Sequence, residues 1–255
     1  MFNIFAIGQS GLTAYQEKLD YLSNDLVNAS TTGYKSIDVG FKDLLTESLD
    51  RKGTPLVEKT AISGTGVKLG TNFAKNKQGN LLTTGGKTDL AIDGSGYFAL
   101  QKSDGKIAYT RDGNFKIDSN GTLVDSMGTK VYVEYENGAS EGNPALENDK
   151  ISVDGQGGIT MKVGEESVKV GNIPIFTAIG DKGFIPIGNS QFTPSSDAQI
   201  TLSNDYSIVQ GALEGSNVDS TEVFSDMILT QRAFQLSSKA ITTADDLWGM
   251  INTMR

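Results

Sequence analysis

The sequence predicts an α+β protein: one helix at each terminus and, between them, a mainly antiparallel β domain. Apolar residues recur every seventh position at both ends of the 255-residue chain. The middle is instead cut into short β-branched and aromatic runs by Asp-Gly and Asn-Gly pairs. Glycine is abundant and proline scarce, 30 against 5, which suits hairpin turns better than a Pro-rich linker.

From the start of the chain, Phe5, Leu12, Leu19 and Leu26 form one seven-spaced row, with Tyr15 and Leu22 supplying a second between them. This is an a/d pattern that predicts a helix to about Val27. Gly8 and Gly11 weaken its first heptad, each by ~1 kcal/mol relative to alanine. The run Asn28-Ala29-Ser30-Thr31-Thr32-Gly33 then ends it, with a glycine suited to a left-handed cap.

Tyr97–Gln101, Ile107–Thr110, Asn114–Asp118 and Val131–Tyr135 read as strands. Asp104-Gly105, Asp112-Gly113, Asn120-Gly121 and Asn137-Gly138 separate or follow them and are expected to form hairpin turns. Turn signals repeating at intervals of roughly 8–12 residues describe an antiparallel domain.

At the C-terminal end Asp219 precedes Glu222 by three residues, a capping-box variant that opens a helix. Met227, Phe234, Ile241 and Trp248 recur every seven residues, and Ala233, Ala240, Leu247 and Met254 form the neighbouring row. Leu229 and Leu236 widen the apolar face to about half the circumference at 100° per residue. The two helices pair with each other or with other copies of the chain. The width of the second face favours several neighbours, hence assembly. The division expected is residues 1–35 and 212–255 as terminal helical parts, 36–75 and 205–211 as extended connections, and 76–204 as the β domain.

Cysteine and histidine are both absent, which removes disulfides, thiol and imidazole catalysis, and Cys- or His-ligated metals. No catalytic, cofactor or metal residues are expected. Gly64-Thr65-Gly66 and Gly94-Ser95-Gly96 do not open helices, so they read as strand or turn glycines and not as nucleotide loops. Asp118-Ser119-Asn120-Gly121 begins like a calcium loop, but its glycine comes too early and Thr129 stands where a bidentate Glu is required. A hairpin turn is the better reading. Glu165-Glu166 and Asp245-Asp246 are adjacent pairs whose side chains diverge, so neither forms an acid–base dyad.

The net charge of −9 argues against nucleic-acid binding. No apolar run approaches the ~20 residues that cross a bilayer, and the N-terminus lacks the charge and core of a cleaved signal. Charge is nevertheless uneven. Between residues 51 and 87, Arg51, Lys52, Lys59, Lys68, Lys75, Lys77 and Lys87 face the single acid Glu58. Lys59, Lys68, Lys75 and Lys77 are therefore candidates for an electrostatic contact with acidic surface on a neighbouring copy.

Three ordered segments resemble the axial proteins of the bacterial flagellum, the basal-body rod and hook family. The first runs from Gly11-Leu12 through Leu22-Ser23-Asn24-Asp25-Leu26-Val27-Asn28 to Thr32-Gly33-Tyr34-Lys35. Next come Asp93-Gly94-Ser95-Gly96-Tyr97-Phe98 and Tyr109-Thr110-Arg111-Asp112-Gly113-Asn114-Phe115. The third is Ala212-Leu213-Glu214-Gly215-Ser216-Asn217-Val218-Asp219 with Gln231-Arg232-Ala233-Phe234. The resemblance implies a structural subunit in which the terminal helices build the inner core of a helical tube and the β domain lies outside. It implies as partners further copies of itself, other rod and hook subunits, the flagellar export apparatus and ring or bushing proteins. It also implies an extracytoplasmic location reached without a cleaved signal. Chain length points to a rod subunit, the distal one ahead of the proximal one, with a hook subunit as the alternative within the family. A monomeric binding module, or an enzyme without histidine clamped by its own helices, is the alternative outside it.

Overall fold

A computed structural model describes residues 2–44, 46–48, 62–136, 139–140, 142–147, 149–163, 166–179, 183–195 and 198–254. Contacts divide the chain into a helical unit (Met1–Val27, Asp38–Asn72 and Asp219–Arg255) and a β unit (Asn28–Ile37 and Phe73–Val218).

In the helical unit, α1 spans Phe2–Val27 and α2 spans Ser220–Thr253. The Asp219 carboxylate accepts hydrogen bonds from the Thr221 and Glu222 amides and caps α2, satisfying two donors that the first turn leaves open. The helix runs on through Gly249 to Thr253, beyond the point where the glycine-free stretch ends. The two helices pack together, and the glycines of α1 lie at the contact. A Cβ on Gly8 would stand 2.7 Å from Ile241 Cγ1, and one on Gly11 would stand 3.3 Å from Ser237 Oγ. These residues therefore do more than weaken a heptad: their missing side chains set how closely the helices approach. The same unit contains two strand pairs, Ile37–Asp43 with Val67–Ala74 and Thr46–Ser48 with Ile62–Gly64. Tyr15 meets Phe41 edge-on at 5.4 Å, Lys18 Nζ lies 5.5 Å from the same ring, and Ser10 Oγ accepts from the Val67 amide.

The β unit is antiparallel wherever a register is defined. Its main sheet runs Phe184–Gly188, Gln191–Pro194, Ile107–Thr110, Tyr97–Gln101, Lys130–Val131, Leu123–Val124, Lys116–Ile117. Ile175–Ala178 joins it along Tyr97–Gln101 and carries Ile200–Leu202. A second sheet orders Glu134–Tyr135, Glu166–Asn172, Gly158–Val163 and Ile151–Val153. Leu90, Ile92, Phe98, Leu100, Phe115, Ile159 and Ile175 form the sealed core, with Phe98 and Phe115 edge-to-face at 5.1 Å.

The expected turns divide. Asp104-Gly105 closes the hairpin of Tyr97–Gln101 and Ile107–Thr110, and Asn120-Gly121 closes that of Lys116–Ile117 and Leu123–Val124, with Gly121 at φ 77°. Asp112-Gly113 does not form a hairpin. There Gly113 permits close backbone approach, since a Cβ would fall 1.6 Å from the Leu90 carbonyl oxygen while the Leu90 amide donates to the Gly113 carbonyl. Asn137-Gly138 and Glu165 lie outside the described residues. The calcium-like start is a turn: Asp118 Oδ1 accepts from the Asn120 and Thr122 amides, and those bonds, led by Thr122, hold its pKa below the usual carboxylate value. Asp125 and Asp154 build the same turn, each accepting from the amides two and four residues on.

Candidate functional site

The residues expected at the assembly face separate into two sets. Leu22 is buried, and Leu12, Tyr15, Leu19, Leu26, Met227, Phe234 and Ile241 are half-buried within the helical unit, Ile241 directly against Gly8. Phe5, Leu247 and Trp248 are exposed, Phe5 by 50%. A further stripe lies open on α2, formed by Leu229, Leu236, Met250 and Met254 together with Leu247. At 100° per residue these five fall within about 60° of one another, roughly 120° around the helix from the inward row Val223, Thr230, Ser237 and Ala244. The second helix thus has one face committed within the unit and another apolar face exposed.

Of the basic candidates, Lys59 lies outside the described residues. Lys68, Lys75 and Lys77 are exposed. Lys68 belongs to the helical unit, where it borders a groove of about 410 Å³ with Ser10, Ala14, Glu17 and Leu44. Lys75 and Lys77 belong to the β unit.

Sequence reasoning passes over a buried ionic cluster in the β unit. Glu214, on the strand Ala212–Glu214 that pairs with Leu81–Thr83, has a side chain that is 0% exposed. Its Oε1 accepts from Lys35 Nζ at 2.6 Å and from the Gly79 amide at 2.8 Å. Its Oε2 accepts from Arg111 Nη1 at 2.8 Å. Lys35 Nζ also donates to the Lys77 carbonyl at 2.9 Å, and Arg111 donates through Nη1 to Ile92 O and through Nη2 to Gly94 O. The guanidinium lies over the Tyr97 ring, 5.4 Å from its centre. Burial pushes the Tyr97 phenol up to about 12. Burial also lowers the Lys35 pKa, with Arg111 acting in the same sense and Glu214 opposing both.

Asn217 completes the arrangement. Its Oδ1 accepts from the Ser36 amide at 2.7 Å, and its Nδ2 donates to the carbonyls of Lys75 and Lys77 at 3.0 and 2.9 Å. Segments 33–36, 75–79 and 214–217 are therefore buckled together just inside the places where the chain leaves the β unit. Each cluster residue stands in one of the three recognised segments, in the runs Gly33-Tyr34-Lys35, Tyr109-Thr110-Arg111 and Leu213-Glu214-Gly215. A charged residue within each segment was the available signal, but no local spacing pairs residues 179 positions apart.

Two family models match separate stretches of the chain. Residues 91–172 match the flagellar hook protein FlgE/F/G D1 domain, and residues 209–254 match the flagellar basal body rod FlgEFG protein C-terminal region. The flagellar basal-body rod protein FlgG of Borreliella burgdorferi is 36% identical over 96% of both chains. The FlgG of Bacillus subtilis is 34% identical over 94% of each. The flagellar hook protein FlgE of Helicobacter pylori is 35% identical over 59% of this chain, but that match covers only 22% of the hook protein. The chain belongs to the flagellar basal-body rod and hook protein family, with basal-body rod proteins FlgG as relatives along nearly its whole length.

Proposed function

We propose that this chain is a structural subunit of the flagellar basal-body rod, in its distal part, and that it polymerises helically through its terminal helices into the shaft that carries torque from motor to hook. The observation that carries this reading is the end-to-end similarity to basal-body rod proteins, 96% of each chain, against 22% of the hook protein. The open stripe of Leu229, Leu236, Leu247, Met250 and Met254 supports polymerisation, because an apolar face on a helix already packed along another face suits a further helix.

In this reading residues 1–35 and 212–255 form the assembly core, with α1 and α2 paired as a coiled-coil-like segment. Residues 36–75 and 205–211 connect it to the outer β domain, 76–204. Contacts between copies are heterologous and extend into a filament instead of closing into a ring. Lys68, Lys75 and Lys77 meet acidic surface on neighbouring copies, with Lys59 as a further candidate. The subunit does no catalysis and needs no cofactor. It passes through the flagellar export apparatus without a cleaved signal and works outside the cytoplasm, against other rod and hook subunits and the surrounding ring proteins. Among the described residues no helix is long and apolar enough to cross a membrane.

Electron microscopy of basal bodies purified from cells carrying a tagged chain tests the assignment. Label on the distal rod is expected. Label confined to the hook, or absent from the basal body, refutes it.

A further inference from the structure

An open helical polymer joins unlike surfaces, so each copy must carry a face and its complement. The exposed stripe on α2 supplies one of the two. Within the same unit, the groove of about 410 Å³ runs along α1. Ala6, Ser10, Thr13 and Ala14 give it one wall of small side chains, and Leu44 and Val67 stand in the wall opposite. At 100° per residue the α1 wall lies about 150° around the helix from Gly8 and Gly11, so packing against α2 leaves it open. Hydrogen bonds fix both walls: Ser10 Oγ donates to the Ile7 carbonyl at 2.8 Å and accepts from the Val67 amide at 3.3 Å, and the Leu44 amide donates to the Gly66 carbonyl at 2.9 Å. Charge gives the groove a direction, with Glu17 on the α1 wall and Lys68 on the other. On α2, Arg232 and Asp226 lie about 60° to either side of Leu229, one on each flank of the stripe. Among the described residues none of these four makes an ion pair.

We propose that the groove is the socket for a second copy of this chain: Leu229 and Leu236 of one copy enter the groove of the next, with Arg232 against Glu17 and Asp226 against Lys68. The pairing rests on the polymerisation reading above and names its contact. The lengths agree, since the α1 wall from Ala6 to Glu17 extends about 16 Å and the two leucines stand about 10 Å apart along their helix. Small residues in a groove admit an amphipathic helix, whose large apolar side chains at helical spacing fill the space. Leu229 and Leu236 are 65% and 69% exposed and free to do so. Reversing the incoming helix would set like charges together on both flanks, so one direction is selected. The contact is heterologous and leaves a groove open at one end of the assembly and a stripe at the other.

The test follows polymerisation of the full chain by sedimentation over a range of concentrations at low salt. Glu17→Arg and Arg232→Glu change exposed side chains, so both variants should fold, which circular dichroism checks. Each alone sets like charges together at one flank and should raise the critical concentration for filaments about tenfold. In a 1:1 mixture each variant's groove fits the other's stripe, so the critical concentration should return to within about threefold of the parent's. Mixing cannot mend a contact within one chain, so this recovery places the pair between copies. Normal polymerisation of both single variants overturns the socket and leaves polymerisation itself standing. A mixture as defective as its components does the same. A parent chain that forms no filaments refutes the polymerisation reading and the socket with it.

Discussion

Replacing Glu214 by alanine strands two buried cations, and its cost can be worked from the geometry. Contacts of 2.6 and 2.8 Å to Lys35 and Arg111 correspond to charge centres ~4 Å apart, each worth about 4 kcal/mol at an effective dielectric near 20. Repulsion between the two cations and the cost of desolvating the carboxylate offset roughly half of that attraction. About 4 kcal/mol remains, within the ~3–5 kcal/mol range for removing one member of a buried pair. In a folding unit of roughly 150 residues, each kcal/mol moves the melting temperature by about 2–4 °C, so a fall of about 8–16 °C is expected. Near-ultraviolet circular dichroism in the tyrosine band follows mainly this transition, because six of the eight tyrosines lie in the β unit, while Tyr15 and Tyr21 lie on α1 and Trp248 on α2. Adding Lys35→Met removes one stranded cation, so the double variant should cost about 2 kcal/mol less than the sum of the single variants. A loss below about 1 kcal/mol for Glu214→Ala, or strict additivity with Lys35→Met, refutes the reasoning.

Three further outcomes follow from the same contacts. Gly8→Ala should destabilise the helical unit by about 1–2 kcal/mol despite its better helix propensity, because the new methyl meets Ile241, and Ile241→Ala in the same chain should recover most of that loss in a double-mutant cycle. Asn217→Ala removes three side-chain hydrogen bonds at about 1 kcal/mol each, so limited proteolysis should cut faster near residues 36 and 75, whereas unchanged cleavage would show that the buckle contributes nothing. The Tyr97 phenol, raised to about 12, keeps its proton in the folded state after the unfolded chain has lost its own near pH 10. Its contribution is complete below pH 10 and falls by about 3 kcal/mol as pH rises through 12; phenolate absorbance should show Tyr97 titrating late beside Tyr109 and Tyr206, which burial also raises, and Tyr97→Phe should remove its share of that late phase.

The parts that local pattern determines were legible in the sequence. Seven-residue spacing at Phe5, Leu12, Leu19 and Leu26 and the Asp219–Glu222 cap identify α1 and α2, because helix periodicity and capping act over a few residues. Asp104-Gly105 and Asn120-Gly121 identify hairpins for the same reason. Asp112-Gly113 misleads because its glycine answers to the Leu90 backbone, distant in sequence. Gly8 and Gly11 read as defects until a second helix stands against them. The heptad rows locate the apolar faces of α2 but not which faces inward: Met227, Phe234 and Ile241 are partly covered, while Leu229 and Leu236 stay open. The Lys35–Glu214–Arg111 cluster is illegible from spacing, since only tertiary structure brings together positions separated by most of the chain.

Polymerisation of a Leu229→Asp/Leu236→Asp chain tests the central claim most directly. Leu229 and Leu236 are 65% and 69% exposed on the side of α2 away from its inward row, so charging them leaves the fold intact. The account predicts that sedimentation and electron microscopy find no filaments under conditions where the parent chain polymerises. It also predicts a β-unit melt within about 0.5 kcal/mol of the parent. Filaments of normal yield and geometry from the doubly charged chain would contradict assembly through this face.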